Sequence, residues 1–155
     1  MRQFYDTTQK LKDLLIGDAD INTVTIGNLS EVDLDKQTIF PLAHIIPDDV
    51  TTNGRTLAMS FTIVICDMVN QTREEDRDQV DPFHGSDNLQ DIWNTMLTVG
   101  VRMSEEFRRG DTWTENYEIS ETNTLTPFQD RFTNLLAGWV IDVTITVPNT
   151  DMSLC

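Results

Sequence analysis

A long run of alternating apolar and polar residues near the end of the chain constrains its fold more than any other feature. The run is Leu135 to Asn149 (LLAGWVIDVTITVPN), and it follows the polar stretch Thr122 to Asn134. Its large apolar residues recur at every second position: Trp139, Ile141, Val143, Ile145 and Val147. The positions between them are mostly polar, at Asp142, Thr144 and Thr146. A period of two is that of a strand with one buried face, so this chain must build a sheet.

A second alternating run, Arg55 to Val69, predicts the central strand of that sheet. One face of the run is wholly apolar, at Leu57, Met59, Phe61, Ile63 and Ile65. The other face is partly apolar as well, at Ala58, Val64 and Cys66, so we expect both faces to be covered near the end of the strand. The preceding connection, Pro47 to Gly54, ends in Asn-Gly, which is a strong hairpin signal. Pro41 lies within the strand-like segment Gln37 to Ile46 and predicts an edge strand or a bulged one.

Two segments have helical spacing. Gln3 to Ile16 predicts an amphipathic helix that Gly17 closes. The stronger pattern lies in the middle of the chain, with apolar or small residues at Leu89, Ile92, Trp93, Met96, Leu97, Gly100, Met103 and Phe107. Asp87 and Gln90 resemble a capping box before it. Arg108, Arg109 and Gly110 predict a cationic last turn followed by a C-cap.

These elements predict one α+β domain over residues 1–155. Two shorter strands, Val24 to Gly27 and Trp113 to Ser120, join the longer ones. We expect an antiparallel or mixed sheet of about four to five strands, with the N-terminal helix and the mid-chain amphipathic helix packed on one face. Residues 70–85 are predicted to be a charged loop and residues 149–155 a short tail.

The charge balance excludes several classes of function. The chain has 26 Asp plus Glu against 11 Lys plus Arg, a formal net charge of −15. That balance argues against a protein that holds nucleic acid by neutralising phosphates, and against binding to anionic membranes. Cys66 and the final residue Cys155 are the two cysteines and imply no disulfide framework. The N-terminus lacks the apolar core of a signal peptide and the longest apolar run, Phe61 to Cys66, is too short to span a bilayer, so we expect a soluble, non-secreted protein.

No catalytic, cofactor or metal site is predicted. Asp81, His84 and Asp87 offer ligand atoms within one loop, but no second His or Cys joins them. The acidic run Glu74, Glu75, Asp76 and Asp78 alternates with arginines and is interpreted as a solvated loop. His44 is expected to be a partly buried histidine with satisfied hydrogen bonds, and Cys66 a small core residue. The three tryptophans, Trp93, Trp113 and Trp139, are expected to anchor the core.

Several ordered pieces of the sequence resemble small bacteriophage tail-completion or tail-terminator proteins, the ring proteins of the tail and the head–tail neck. The pieces are PFQDRF, LLAGW and VPN near the C-terminus and the segment Pro41 to Ile46 (PLAHII), within a likeness that spans most of the chain. The resemblance implies a non-enzymatic virion protein, assembled in the host cytoplasm, without a cofactor or a membrane. It further implies a homo-oligomeric ring, a hexamer or a dodecamer, that contacts other tail, portal or connector proteins. DNA would pass through the lumen without specific binding.

A ring needs surfaces that reach a neighbour, and the exposed connections are the candidates. The predicted interface residues are Asn53, Gly54, Arg73, Glu74, Glu75, Asp76, Arg77, Asp78, Asn149, Asp151, Met152 and Leu154. Two other classes stay open. One is a monomeric acidic binding module for a basic partner, such as a DNA mimic, whose carboxylates would spread along one continuous face. The other is an enzyme with a dispersed site.

Overall fold

Two helices and six strands make up most of the chain that the structure describes. The structure is a computed structural model, and it describes residues 2–32, 37–69, 88–109, 116–131 and 135–149. The helices are α1 (Gln3–Ile16) and α2 (Leu89–Arg109). The strands are β1 (Thr23–Ile26), β2 (Leu42–Thr52), β3 (Thr56–Met68), β4 (Glu118–Ile119), β5 (Thr124–Arg131) and β6 (Leu135–Pro148). The α+β fold and both helices are confirmed, and the strands number slightly more than expected.

The sheet is mixed, and its centre is the pair formed by β3 and β6. These two strands are antiparallel and pair from Thr56 opposite Pro148 to Met68 opposite Leu136. The strand order is β1-β2-β3-β6-β4, and β5 pairs with the first half of β6 beside β4. Only β1 and β2 run parallel. The two strands predicted from strict alternation are therefore the two around which the sheet is built.

The expectation of an edge strand at Pro41 is wrong, because β2 lies between β1 and β3. Pro41 itself precedes the strand, and residues Gln37–Ile39 form a 3-10 turn. The missing amide hydrogen of Pro41 therefore costs no hydrogen bond in the sheet. The carbonyl oxygen of Pro41 accepts hydrogen bonds from the amides of Asn22 and Thr23, at 2.9 and 3.2 Å. The proline thus fixes the point where β1 and β2 begin to pair.

A bulge is present in β2, but it lies further along than the sequence indicated. The register of β2 with β3 shifts between Pro47 and Val50. β1 pairs only with residues up to Ile45, so Pro47 occupies a part of β2 that has one neighbouring strand. That position suits a residue without an amide hydrogen. Most of the predicted connection Pro47 to Gly54 is accordingly strand, and only its last residues turn.

The sequence did not indicate β5, which lies in the polar stretch Thr122 to Asn134. Thr124, Thr126, Pro127 and Gln129 are exposed, so an edge strand with little to bury shows no apolar alternation. The predicted strand Trp113 to Ser120 is strand only at Glu118–Ile119 within the described residues. Ile119 is buried and Tyr117 half-buried, as expected for one face.

Both helices cover the same face of the sheet and enclose the main core. Twenty-two buried residues form this core, including Leu11 and Leu15 from α1, Phe107 from α2 and all five apolar residues predicted for one face of β3. A smaller cluster of Phe40, Leu42, Cys66 and Leu136 lies on the opposite face, at one end of the sheet. The expected double coverage of β3 near its end is confirmed.

Two tryptophans tie α2 to the sheet, as expected of core anchors. The indole N–H of Trp139 donates to the carbonyl oxygen of Trp93 on α2, at 2.8 Å. The indole N–H of Trp93 donates in turn to the carbonyl oxygen of Phe128 on β5, at 3.3 Å. Both indoles therefore bury apolar area while satisfying their polar atoms. Trp113 lies outside the described residues. No described helix has the length and apolar character needed to cross a membrane.

Gly138 permits the closest approach of β6 to β3. A Cβ atom there would lie 1.9 Å from the carbonyl oxygen of Ile65 and 2.7 Å from the Cα atom of Cys66. Both are backbone atoms of the central strand and cannot rotate away. We expect Gly138→Ala to lower the free energy of unfolding by at least about 2 kcal/mol, measured by urea denaturation.

Thr146→Ala is the matched control, because Thr146 is on the same strand and the same face and is only half-buried. It should change the free energy of unfolding by less than about 1 kcal/mol. Equal effects of the two substitutions would contradict the close approach at Gly138.

Candidate functional surface

The hairpin between β2 and β3 brings three of the predicted interface residues together. Gly54 takes a φ of 86°, which a side chain disfavours. The side-chain oxygen of Asn53 accepts hydrogen bonds from the amides of Arg55 and Thr56, at 3.2 and 2.9 Å. The amide of Asn149 donates to the carbonyl oxygen of Arg55, at 2.8 Å. Asn53, Gly54 and Asn149 therefore meet at one end of the sheet, with the Asn53 side-chain oxygen committed to the turn.

The other predicted interface residues lie outside the described part of the chain. They are Arg73, Glu74, Glu75, Asp76, Arg77, Asp78, Asp151, Met152 and Leu154. The same is true of Asp81, His84 and Asp87, which the sequence analysis weighed as metal ligands. Among the described residues, no group of three or more His, Cys, Asp or Glu side chains is placed to hold a metal ion.

The face of the sheet away from the helices is rich in hydroxyl and carboxylate groups. We call it the outer sheet face, and register and alternation place the following residues on it: Thr25, Asp48, Ser60, Thr62, Glu118, Thr124, Thr126, Asp142, Thr144 and Thr146. Asp48, Glu118 and Asp142 are exposed. Apolar residues share this face with them, at Ile46, Ala58, Val64 and Val140 and in the small cluster at one end.

A row of polar side chains links three strands on this face. The Thr62 hydroxyl lies 2.8 Å from a carboxylate oxygen of Asp48 and 2.9 Å from one of Asp142. A hydroxyl has a single hydrogen to donate, so Thr62 donates to one of the two carboxylates at a time. Next to this row, the hydroxyl oxygens of Ser60 and Thr144 lie 3.4 Å apart. The register of the strands thus brings two exposed carboxylates to the same hydroxyl.

Positive charge is separated from this face. In the part of the chain whose side chains the structure describes, Lys and Arg occur near or on the helices and at the hairpin turn: Arg2, Lys10, Lys12, Arg55, Arg102, Arg108 and Arg109. Several pair locally. Arg102 contacts Asp18 and Asp20 at 2.9 and 2.6 Å, and both arginines of the last turn of α2 contact Glu105. No Lys or Arg among those described side chains lies on the outer sheet face, which is therefore uniformly negative.

His44 has the structural role expected of it. It is 1% exposed, and its Nδ1 atom lies 2.6 Å from the Thr25 hydroxyl. Its Nε2 atom lies 3.0 Å from the carbonyl oxygen of Gly27. A carbonyl oxygen only accepts, so Nε2 carries the hydrogen and Nδ1 accepts from Thr25. The imidazole thus joins β2 to Thr25 of β1 and to Gly27 directly after it, which makes it a structural link.

Cys66 is also structural. The thiol is 3% exposed within the small apolar cluster. Burial, followed by the negative charge of Asp67, raises the pKa of Cys66 to about 12. At neutral pH the side chain is the protonated thiol, which is neither a nucleophile nor a metal ligand.

A cleft of about 480 Å³ opens between the start of α2, the end of β3 and the connection after α1. Asp20, Asp67 and Asp91 contribute carboxylates to its wall. Burial raises the pKa of Asp67, and the hydrogen bond from the Met68 amide opposes that shift. Asp91 lies in the first turn of α2, where the helix dipole favours a negative charge. Asp20 pairs with Arg102. The three carboxylates of the cleft thus interact with three different parts of the structure.

The sequence predicted only the β6 members of the outer sheet face. Asp142, Thr144 and Thr146 were predicted to share one face of β6, and they do. The partnership of Asp48 with Thr62 and Asp142 depends on the bulge in β2, because the bulge decides which way Asp48 points. Glu118 joins the face through the pairing of β4 with β6. A single sequence carries no signal for those registers.

Comparison with known proteins identifies no family for this chain. No protein-family model and no curated protein matches it.

The raised pKa of Asp67 generates a prediction about stability and pH. Because the folded state holds the proton more tightly than the unfolded state, stability falls as pH rises from about 4 through the raised pKa. Asp67→Asn removes this titration and keeps an oxygen for the Met68 amide. We expect its Tm at pH 7 to exceed that of the native chain by on the order of 1–3 °C, with the difference vanishing near pH 3.5.

Asp91→Asn is the control, since it faces the same cleft from the first turn of α2. Loss of the favourable charge at the helix N-terminus should leave its Tm at pH 7 unchanged or lower. A lower Tm for Asp67→Asn at pH 7 would show that Asp67 has a stabilising partner.

Proposed function

We propose that this chain is a structural subunit of a bacteriophage virion, forming a ring at the tail or the head–tail neck through which DNA passes. In this role the protein is not an enzyme and carries no cofactor. Its partners are further copies of itself and the tail, portal or connector proteins above and below the ring. The pieces of sequence that resemble tail-completion and tail-terminator proteins supply the family context.

Two of those pieces, LLAGW and PLAHII, occupy structurally central positions. LLAGW begins β6 and contains Gly138, the residue that allows close approach to β3. PLAHII contains the start of β2 and His44, which links β1 to β2. The likeness therefore falls on residues that set the geometry of the sheet, and it supports a shared architecture more strongly than a likeness in surface loops would.

The observation that carries the proposal is the charge of the outer sheet face, which is negative only, whereas the helix side carries charges of both signs. The outer sheet face presents Asp48, Glu118 and Asp142 among hydroxyl groups, without a described Lys or Arg. Such a wall repels DNA phosphates and gives them no cation to bind, so a duplex slides along it. A protein that grips DNA needs the opposite arrangement.

The layer arrangement suits this face for the inside of a ring. The helices form a second layer on one face of the sheet, so a curved assembly has more room for them on its convex side. The sheet then forms the concave wall. In this arrangement α1 and α2 face outward, and the outer sheet face lines the lumen.

The acidic face also favours one alternative, a monomeric module that binds a basic partner. Carboxylates on a DNA mimic replace phosphates along a continuous track. Here Asp48 and Asp142 share the Thr62 hydroxyl, and hydroxyl and apolar side chains occupy the rest of the face, so the track is sparse. The ring is therefore the better supported of the two functions.

Self-association should depend on ionic strength. Each subunit has a formal net charge of −15, and the screening length falls from about 30 Å at 0.01 M salt to about 3 Å at 1 M. We expect light scattering to detect a closed oligomer whose population rises with NaCl, with rings visible by electron microscopy. Sucrose in place of NaCl is the control for crowding. A monomer at every salt and protein concentration would instead favour the acidic binding module.

Charge reversal on the outer sheet face should convert a sliding wall into a binding one. The variant Asp48→Lys, Glu118→Lys, Asp142→Lys replaces three negative charges per subunit by positive ones. We expect its preassembled rings to retain linear duplex DNA at least about tenfold better than closed circular DNA, because only linear DNA threads a closed lumen. Native rings should retain neither. Retention is measured by filter binding at matched ionic strength.

The control variant is Asp6→Lys, Asp13→Lys, Asp91→Lys, which makes the same change of charge on exposed helix positions. Its rings should bind linear and circular DNA equally, from the outside. Equal binding of both DNA forms by the sheet-face variant would place that face on the outside of the ring.

A further inference from the structure

The two edges of the sheet are open and run in opposite directions. Within the described residues, no strand pairs with the outer side of β1 or of β5. β1 is parallel to β2, and β2, β3, β6 and β5 are antiparallel in succession. β1 and β5 are therefore antiparallel to each other. Two copies placed side by side in the same orientation bring the β5 edge of one copy against the β1 edge of the next as an antiparallel pair.

The two edges also lie at the same level of the sheet. One row of paired residues runs across five strands: Ile26, Ile45, Ile63, Ile141 and Leu125. A second row runs from edge to edge two residues away: Val24, Ala43, Ile65, Trp139 and Pro127. A neighbouring copy at the same height thus places its Ile26 opposite Leu125 and its Val24 opposite Pro127.

The free main-chain groups match in this register. On β1, the amides of Thr23 and Gly27 donate to β2, at 3.2 and 2.9 Å, so the groups of Val24 and Ile26 point to the open edge. On β6, the Thr144 carbonyl oxygen accepts a hydrogen bond from the Ser120 amide at 3.0 Å. The main-chain N–H and C=O groups of even-numbered β6 residues therefore point toward β4 and β5.

The direction of the β6 main-chain groups decides which residues of β5 bond to β6. Thr126 lies opposite Val140 and Phe128 opposite Gly138, so the even-numbered residues of β5 bond to β6. Leu125, Pro127 and Gln129 therefore direct their main-chain groups outward. Ile26 and Leu125 of adjacent copies are placed to exchange both hydrogen bonds, and the Val24 amide is placed to donate to the Pro127 carbonyl oxygen. Proline has no amide hydrogen, which suits an edge position.

The side chains along these edges are apolar on the helix side and uncharged on the other. Ile26 is 49% exposed. The next three residues of its row, Ile45, Ile63 and Ile141, are buried, and the row ends at the half-buried Leu125. Val24 and Leu125 are half-buried and Pro127 is exposed. On the outer sheet face, Thr25 and Thr126 come opposite each other in the same register, and paired threonines suit adjacent strands.

We propose that the β1 edge of one copy pairs with the β5 edge of the next, so that the sheet continues from subunit to subunit. This inference builds on the proposed function by naming the surface through which ring neighbours join. The contact is head-to-tail, because two different surfaces meet, and such contacts close into a ring when the rotation per copy divides a full turn. The twist of the strands is taken up by tilting them against the ring axis, as in closed barrels.

Cysteine cross-linking tests the register directly. In a Cys155→Ser background, Thr25→Cys and Thr126→Cys are separated within one chain by four strand spacings, about 19 Å. A disulfide needs Cα atoms within about 7 Å, so only a bond between copies can form. Oxidation with diamide at high salt should give the double variant a ladder of covalent oligomers. A mixture of the two single variants should give mainly the mixed dimer.

The control pairs Thr25→Cys with Thr144→Cys, which lies on the same face but in the interior of the sheet. It should give at least about tenfold less cross-linked product. Circular dichroism and Tm measurements on each variant identify any that is unfolded.

A second pair of variants tests the edge without cysteines. Ile26→Asp places a charge at the β1 edge, and Val101→Asp places the same charge at a similarly exposed position on α2, where the native valine is 46% exposed. We expect Ile26→Asp to raise the protein concentration for half-assembly at least tenfold, and Val101→Asp to leave it nearly unchanged.

The outcomes separate this inference from the proposed function. Rings without cross-linking, and unaffected by Ile26→Asp, would overturn the edge pairing and leave the ring intact. Cross-linked open filaments would support the edge pairing and contradict the ring. Cross-linked closed rings would support both, and a monomer without cross-linking would overturn both.

Discussion

The rest of the molecule depends on the pairing of β3 with β6. These strands are far apart in the sequence, yet they pair along their whole length and contribute most of the buried residues on the sheet side of the core. Each other strand adds to one side of this pair, and α2 rests on it. The close contact at Gly138 shows how tightly the pair is held, because the backbone of β3 occupies the space that any side chain there would need.

Strict alternation predicted the two long strands because each has one face covered by helices and one face that is more polar and more exposed to solvent. Helical spacing predicted both helices. The same logic failed for β5, where an edge strand buries too little to select apolar residues. It failed for Pro41 too, since a proline that starts a strand and one that interrupts a strand look alike in sequence. The positions of Asp48 and Glu118 on one face depend on a bulge and on a pairing between distant residues. Local patterns carry neither, so the outer sheet face could be predicted only in part, through β6.

The open edges of the sheet differ in charge and regularity. The free part of β2 has two aspartates and a bulge, which are features that hinder pairing with another strand. The edges formed by β1 and the first part of β5 lack charged side chains from Thr23 to Ile26 and from Thr124 to Gln129. An edge protected by charge and a bulge beside edges without charge is consistent with a sheet that accepts a single kind of neighbour.

Charge sets the conditions under which such a neighbour arrives. Copies of a chain with net charge −15 repel at long range, whereas the proposed edge contact is between uncharged segments and short in range. Repulsion therefore opposes encounter more than it opposes the paired state, and screening or a template lowers the barrier to assembly. The carboxylates that cause part of this repulsion lie on the outer sheet face and remain exposed after the edges pair. An assembly joined this way keeps its negative wall, which is the property that a passage for DNA requires.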